Sequence, residues 1–550
     1  MIGILSFLGF TILVAVIAYV ATRSTDEKSS DGYFLGGRSL TAGVIAGSLL
    51  LTNLSTEQIV GLNGSAYKDG LSVMAWETLA AMAMVVTAIY LLPRYLKGGL
   101  TTVPQFLASR FDTSTKTITS VLFLTGYVVV LLPVILYSGS VAISGMFNVP
   151  GLLNVSDGTA LVICIWGIGI IGSIYAVFGG LKAVAVSDSI NAVGLIIGGI
   201  LIPVFGLMAI GDGSVFNGLD ILMEANPERF DSTGEPGQEV PFSTIFTGMM
   251  LVQLFYWGTN QQIIQRALGA KNLAEGQKGL LLAAFLKILG PLILVLPGMI
   301  AYHYFNGGLE SSDLAYPELV RAVLPKPMVG FFAAVLFGAI LSSFNSVLNS
   351  SVTLFGIDIY KQHINPSAPE QTIVKYGKIF GVCLALAAMF IAPLIADAGS
   401  LFNYLQKING IYSIPIFTII AIGYLTKRVP AIAAKIGIVS GSVLYIISEF
   451  LVSPNLREKA VETAKASGVT DPDALRLIEA DAYPHYLHVM AILFVANMII
   501  MLIIGRFFPR EKPFELEYTK QVSIEPFKYV KQVGLLISLI VIGIYIYFAK

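Results

Sequence analysis

Charge is scarce in this 550-residue chain. Asp, Glu, Lys and Arg make up 12% of it, while 55% is hydrophobic. A soluble domain carries about 25% charge, and the mean hydropathy here is +0.78. The chain therefore reads as an all-α polytopic membrane protein. Lys plus Arg and Asp plus Glu balance at 34 each, which removes the basic footprint expected of a nucleic-acid binder. Cysteine is nearly absent. Cys164 and Cys383 both sit in apolar runs and make neither a disulfide framework nor a metal knuckle. The four histidines, His303, His363, His485 and His488, are scattered near segment ends, and no HExxH pattern occurs. With no nucleophile–base set and no metal cluster, an enzyme is not indicated.

Long apolar runs dominate instead. A span needs about twenty residues, and the pattern predicts about fourteen: 2–22, 40–64, 71–95, 116–146, 158–178, 182–211, 242–266, 277–305, 327–360, 374–394, 398–425, 431–453, 484–505 and 532–549. Leu5 to Val20 lacks a basic flank and a small-residue cleavage site, so it is expected to be a retained span. Of the 34 Lys and Arg, 23 fall on one side of this topology, nine on the other, and Lys287 and Lys407 within spans. Basic residues concentrate in cytoplasmic loops. The expectation is a multi-pass protein of the plasma membrane (a bacterial inner membrane) with both termini outside. The soluble-looking stretches 211–240, 306–325 and 454–483, the last with a short amphipathic run at 456–466, then become outer covers.

Polar residues inside the spans carry the functional reading. Asn53-Leu54-Ser55-Thr56-Glu57-Gln58 interrupts the apolar run 40–62. A charged carboxylate at membrane depth costs ~2.5 kcal/mol or more, and Asn and Ser side chains compete for backbone hydrogen bonds. A helix opened there survives only where its freed carbonyls line a protein-enclosed cavity. Glu77, Asp188, Gln253, Tyr256, Lys287, Gln406 and the hydroxyl-rich stretch Ser342 to Ser351 recur in other spans. Carboxylates, amides and an ammonium suit a ligand rich in hydroxyls, since each hydroxyl both donates and accepts. The paired hydroxyls of Ser342 and Ser343 suit a hard monovalent cation, or simply permit close helix packing. Lys287 equally neutralises a carboxylate, and Asp188 equally serves as a helix-terminal acid.

At these residues the sequence resembles the solute:sodium symporter family, and within it the sodium/glucose and sodium/galactose branch. The matching stretches are Gly32-Tyr33-Phe34-Leu35-Gly36-Gly37-Arg38-Ser39-Leu40, residues 53–58, Gly179-Gly180-Leu181, Gln265-Arg266-Ala267-Leu268-Gly269-Ala270-Lys271 and Ser342 through Asn349. The resemblance implies a LeuT-like 5+5 inverted-repeat core whose repeats each begin with a broken helix. It divides the chain into 1–39, a first repeat 40–211, an outer loop 212–241, a second repeat 242–453, an outer loop 454–483 and two final spans in 484–550.

The same resemblance assigns roles. Gln58, Glu77, Gln253, Lys287 and Gln406 form the sugar-binding set, with Glu57 beside them. Tyr256 closes the site on the cytoplasmic side with Asn53 as partner, and Leu62, Trp76 and Phe402 form the outer gate. Sodium is held by the carbonyls of Leu51, Leu54 and Ala339 and the hydroxyls of Ser342 and Ser343, with Asp188 on its exit route. There are departures. Gln253 stands in place of Asn, Ala80 in place of Ser, Trp76 in place of Tyr, and Lys407 where Glu is found. Asn345 weakens a second sodium site. The expected activity is sodium-coupled import of a hexose such as glucose or galactose by alternating access. The expected partners are the sugar, sodium and the lipid bilayer, with a homodimer as one possible assembly. The alternatives within transport are an acidic or sulfated sugar, inositol, an amino acid or an organic anion, and proton coupling through Glu57, Glu77 or Asp188.

Overall fold

Backbone in lipid must satisfy its own hydrogen bonds, which leaves the helix as the default for an apolar run. The computed structural model describes residue 9 and residues 11–14, 16–20, 29–395 and 401–549; within these the side chains of 175–179, 326–327, 401–404 and 473 are not described. Regular structure among the described residues is helical throughout, apart from one parallel bridge between Leu40 and Ala270.

The expected second span is two helices, Ala42–Asn53 (α1) and Thr56–Asp69 (α2). Between them Leu54 leaves the helical region (φ −76°, ψ 58°), and the Ser55 N–H bonds back to the Asn53 carbonyl at 2.8 Å. Ala75–Val86 (α3) follows. Asp157–Ile210 (α4) holds the fifth and sixth spans, which are joined at Gly180 with φ 58°. This left-handed conformation favours glycine. The seventh span is again two helices, Met250–Gly258 (α5) and Gln261–Leu268 (α6), with the Asn260 side chain capping the second. Leu273–Ile288 (α7) bends by 48° into Gly290–Tyr304, where Pro291 and Pro297 each withhold a backbone donor. Lys326–Thr353 (α8) carries the hydroxyl-rich stretch, and Leu401–Leu425 (α9) follows.

Ten helices among the described residues are long and apolar enough to cross a membrane, or up to eleven with the bent pair as one span. The expected fourteen is not established by that measure. The broken spans leave short pieces, and most of 2–22 lies outside the described residues.

The breaks in the two split helices meet in the middle of the bundle. The bridge at Leu40 and Ala270 ties the far ends of α1 and α6 together, with Leu40 N–H donating to Gly269 O and Lys271 N–H to Leu40 O. Helix α4 packs on α8 and α1, and α7 packs on α1 and α3. The long polar loops gather at one end, here the loop face. There Arg229 donates to the carbonyls of Tyr67 and Lys68, and Leu309 N–H to the Tyr67 hydroxyl. The expected amphipathic stretch is the helix Ser453–Ala466, continuous with the preceding span. A second cover helix, Pro472–Asp481 (α10), leads into Tyr486–Phe507 (α11).

The opposite, basic face departs from the loop-charge reading. Arg110 is fully buried and donates to the carbonyls of Gly423, Val429 and Thr426 at 3.0 Å each. Lys116 is buried 3.6 Å from Asp358, and Arg266 is buried too. These cations staple spans together rather than lie in water.

Candidate solute and sodium site

The two breaks enclose a cavity with about 50 Å³ of free space, room for only a few waters. Its walls include Asn53, Glu57 and Gln58 from the first broken helix and Gln253, Tyr256, Asn260 and Gln262 from the second. Trp76, Ala80, Gln406 and Ser343 complete the expected residues found there. No Lys, Arg or His is among the lining residues. Three buried acceptor atoms on these walls, Asn53 Oδ1, Glu57 Oε2 and Gln262 Oε1, have no hydrogen-bond partner among the described residues. A ligand filling the cavity must donate to them, as hydroxyls do.

Glu77 and Lys287 stand behind this wall. They form a fully buried ion pair, and Gln58 Nε2 donates to Glu77 Oε1 at 3.0 Å. Gly290, at the bend after α7, leaves the space for the Glu77 carboxylate, because a Cβ there would overlap it. Gln253 is also committed to protein: its Nε2 donates to Trp76 O at 2.8 Å, and its Oε1 accepts from Trp257 Nε1 at 3.1 Å.

Asn53 Nδ2 donates to the Tyr256 hydroxyl at 3.3 Å, the pairing expected of the inner gate. Toward the loop face Leu62 and Trp76 are buried; the side chain of Phe402 lies outside the described residues.

The two hydroxyls expected for sodium differ in what they hold. Ser343 Oγ donates to Thr52 O at 3.1 Å, which brings α8 against the break after α1. Ser342 Oγ is buried with no hydrogen-bond partner among the described residues. Leu51, Leu54 and Ala339 are buried as well. Neighbouring buried hydroxyls on a helix drawn against the end of α1, where carbonyls are left over, suit a monovalent cation.

Asp188 extends this polar path toward the basic face. Its Oδ2 accepts from Ser48 Oγ at 2.7 Å, and the same Ser48 oxygen accepts from Arg266 Nε at 3.2 Å. Arg266 also reaches Ser346, whose hydroxyl lies 3.0 Å from that of Thr52. In sequence Arg266 was visible as a loop cation within a matching stretch, with nothing to signal that it is buried.

Other lining residues escaped the sequence reading. Asn260 Oδ1 accepts from the Tyr127 hydroxyl at 2.5 Å, and Asn409 Oδ1 from the Tyr412 hydroxyl at 2.6 Å. Asn260 follows Gly258 and Thr259, and that polar run was its available signal. Lys407 does not line this cavity. It faces a second one at the loop face, although Gln406 beside it lines the first.

Comparison with known proteins decides the family. The model of the sodium:solute symporter family matches residues 33–441. The chain belongs to the sodium:solute symporter family. It is 46% identical over 543 residues to the uncharacterized symporter YidK of Escherichia coli, covering 98% of this chain and 90% of that one. It is 32% identical to the sodium/glucose cotransporter of Vibrio parahaemolyticus, over 80% of this chain and 84% of the other. Against sodium/myo-inositol cotransporter 2 of Oryctolagus cuniculus the identity is 30%, over 80% and 68%. The fold matches a Na+-coupled sialic acid symporter solved in a substrate-bound outward-open state, with TM-score 0.73 and 17% identity over 94% of this chain and 99% of that one. The architecture is thus the inverted-repeat fold of sodium-coupled transporters. The chain is a multi-pass, sodium-coupled symporter of this family, whose named relatives are transporters and not enzymes.

Proposed function

We propose that the protein imports a neutral, polyhydroxylated solute, a hexose such as glucose or galactose, together with sodium. The observation that carries this reading is the central cavity. Seven amide side chains and one carboxylate line it, no cationic side chain does, and three buried acceptors await a donor. An anionic substrate would face Glu57 with no counter-charge. Inositol satisfies the same wall, and the myo-inositol relatives keep it as the second reading.

Sodium at Leu51, Leu54, Ala339, Ser342 and Ser343 ties α8 to the broken span and sets the direction of Glu57 and Gln58. The solute then binds between the Trp76 and Tyr256 gates. In this reading the loop face is external, both termini lie outside, the repeats are 40–211 and 242–453, and sodium leaves past Asp188 once the Asn53–Tyr256 contact opens. About 50 Å³ cannot hold a hexose, so solute is admitted only by parting the gates. One charge crossing ~100 mV gains ~2.3 kcal/mol, and a tenfold sodium gradient adds ~1.4 kcal/mol. Together they sustain roughly 500-fold accumulation.

Uptake of labelled hexoses, myo-inositol, uronates and sulfonated sugars into proteoliposomes tests this. The expected result is electrogenic, sodium-stimulated uptake of a neutral solute. Uptake indifferent to sodium, or uronates and sulfonated sugars outcompeting every neutral solute, overturns it.

A further inference from the structure

The last two spans are joined by a strap across the basic face. Residues 508–529 run from α11 to the final helix Val530–Phe548 (α12) and contain no helix of their own. Connections longer than about 12–15 residues without secondary structure are uncommon, and are usually functional or disordered. This one is fastened at defined points, and it lies outside the residues 33–441 that the family model matches.

Its two ends hold different helices. Arg510 N–H donates to Arg428 O at 2.8 Å and Phe514 N–H to Lys427 O at 2.9 Å, in the turn between α9 and the helix Ala431–Ile446. Arg510 Nη1 also donates to Arg110 O at 2.9 Å, and the Arg110 guanidinium lies 5.4 Å from the Phe514 ring. At the far end Leu273 N–H donates to Ser523 O at 3.0 Å, and Phe527 N–H to the buried Gln277 Oε1 at 2.8 Å; both partners begin α7. Between these anchors the strap touches the turn where the third span ends. Thr519 N–H donates to Lys97 O at 3.1 Å, and Gln521 Oε1 accepts from Arg38 Nη2 at 3.3 Å, the nitrogen that also reaches Gly99 O at 2.9 Å. Gly99 has φ 61°, and a Cβ there would come within 2.6 Å of both Gln521 Oε1 and Thr519 Oγ1. Thr519 and Gln521 are exposed, whereas Val522 is buried.

The helices behind these fastenings form two groups. In one, α9, Ala431–Ile446 and α11 pack on one another; in the other, α7 packs on α1 and α3, and α12 on α3 and α7. The central cavity takes walls from both, Gln406 and Asn409 from α9 and Trp76 and Ala80 from α3. Opening it toward the basic face parts the groups there. From Phe514 to Thr519 the strap can reach about 17 Å; freed at Thr519 and Gln521, it runs on to Ser523 and can reach about 30 Å. We propose that residues 515–522 are a latch. Closed on the 97–99 turn, it holds the two helix groups together, and its release supplies the chain length that opening on the basic face takes up. The link to opening rests on the transport reading above. The fastenings stand on their own geometry.

Labelling of a single thiol tests it. In the full-length protein carrying Cys164→Ser and Cys383→Ser, Val522→Cys places that thiol in the buried part of the latch. Its rate of reaction with a water-soluble maleimide reads release and needs no solute. The expected result is slow labelling, accelerated roughly fivefold by Gln521→Ala, which deletes the bond to Arg38, and by Tyr256→Phe, which loosens the inner gate by one hydrogen bond. Labelling unchanged by Tyr256→Phe uncouples strap from gate and overturns the proposal. A second measurement holds the latch shut. In the same background Lys97→Cys and Thr519→Cys, joined by a short bis-methanethiosulfonate linker, should stop sodium-driven uptake, and dithiothreitol should restore it. Uptake at full rate through the linked protein overturns the proposal. If no solute of the uptake panel is transported, the transport reading fails, and the labelling comparison still decides for or against the latch.

Discussion

Gln58 Nε2 lies 3.0 Å from Glu77 Oε1, and Glu77 is in turn paired with Lys287. Gln58 thus connects the cavity wall to a buried ion pair that does not itself reach the cavity. Removing one member of such a pair strands a charge and costs about 3–5 kcal/mol, whereas replacing both by apolar groups is often tolerated. Lys287→Ala is therefore expected to lower thermal stability and abolish uptake. Glu77→Leu combined with Lys287→Met should regain much of the stability while uptake stays low, because Gln58 has lost its anchor. Melting and uptake measured on the same preparations check this. A stable double variant with normal uptake would show that the pair is dispensable to the solute site.

Ser343 and Ser342 differ in what they already hold. Ser343 Oγ is bonded to Thr52 O, while Ser342 Oγ is unpartnered. If both ligate sodium, removing one oxygen worth about 1–3 kcal/mol should weaken sodium activation roughly 5- to 150-fold. Ser342→Ala should show that loss with little change in folding, since no protein bond is broken. Sodium titration of uptake reads it, and unchanged activation in both variants would remove these hydroxyls from the ion site.

How much of this was visible in the sequence depends on range. The break at residues 53–58 was legible because amides and an acid inside an apolar run conflict locally with a membrane helix. The second break was less so, since Thr259 and Asn260 look like the end of a span. Arg110 and Arg266 read as loop cations, because a basic residue at a span end normally reaches water. What buries them is distant in sequence: Gly423, Thr426 and Val429 for Arg110, and Ser48, which bonds Asp188, for Arg266. Gln406 and Lys407 make the same point at one step of separation. Neighbours on a helix point about 100° apart, so one lines the central cavity and the other the cavity at the loop face, and nothing in their spacing says which.

The Asn53–Tyr256 contact supplies the third prediction. At 3.3 Å between Nδ2 and the hydroxyl it is a modest bond, worth about 1 kcal/mol. Tyr256→Phe keeps the ring and deletes that bond, so the closed gate should lose about fivefold in population. Solute efflux from preloaded vesicles should rise several-fold, with sodium activation of binding preserved. Efflux at the original rate would mean that packing of the ring alone closes the site.

The loop face is held shut by Asp69. Its Oδ1 accepts from Arg476 Nη2 at 2.8 Å and its Oδ2 from the Glu239 N–H at 2.7 Å, while Arg476 Nε donates to Gly237 O at 3.0 Å. Burial pushes the neighbouring Glu239 carboxyl up to about 7 from an ordinary 4.5; a hydrogen bond from Ser65 and the charge of Lys68 oppose the rise, and Asp69 and Asp313 add to it. Arg476, Glu449, Tyr486 and His488 share its cavity. Closed, Glu239 keeps its proton to about pH 7; exposed, it would release it near 4.5. The closed face thus binds the extra proton between these values. Its advantage is complete below pH 4.5 and is lost as pH rises through 7. Deuterium exchange of residues 235–241 and 472–481, corrected for intrinsic rates, should accelerate between pH 5.5 and 8. Glu239→Gln should abolish that acceleration and keep the slow rate at both values. Equal protection of the unsubstituted protein at the two pH values, or a pH response that survives in Glu239→Gln, would place the control of this face elsewhere.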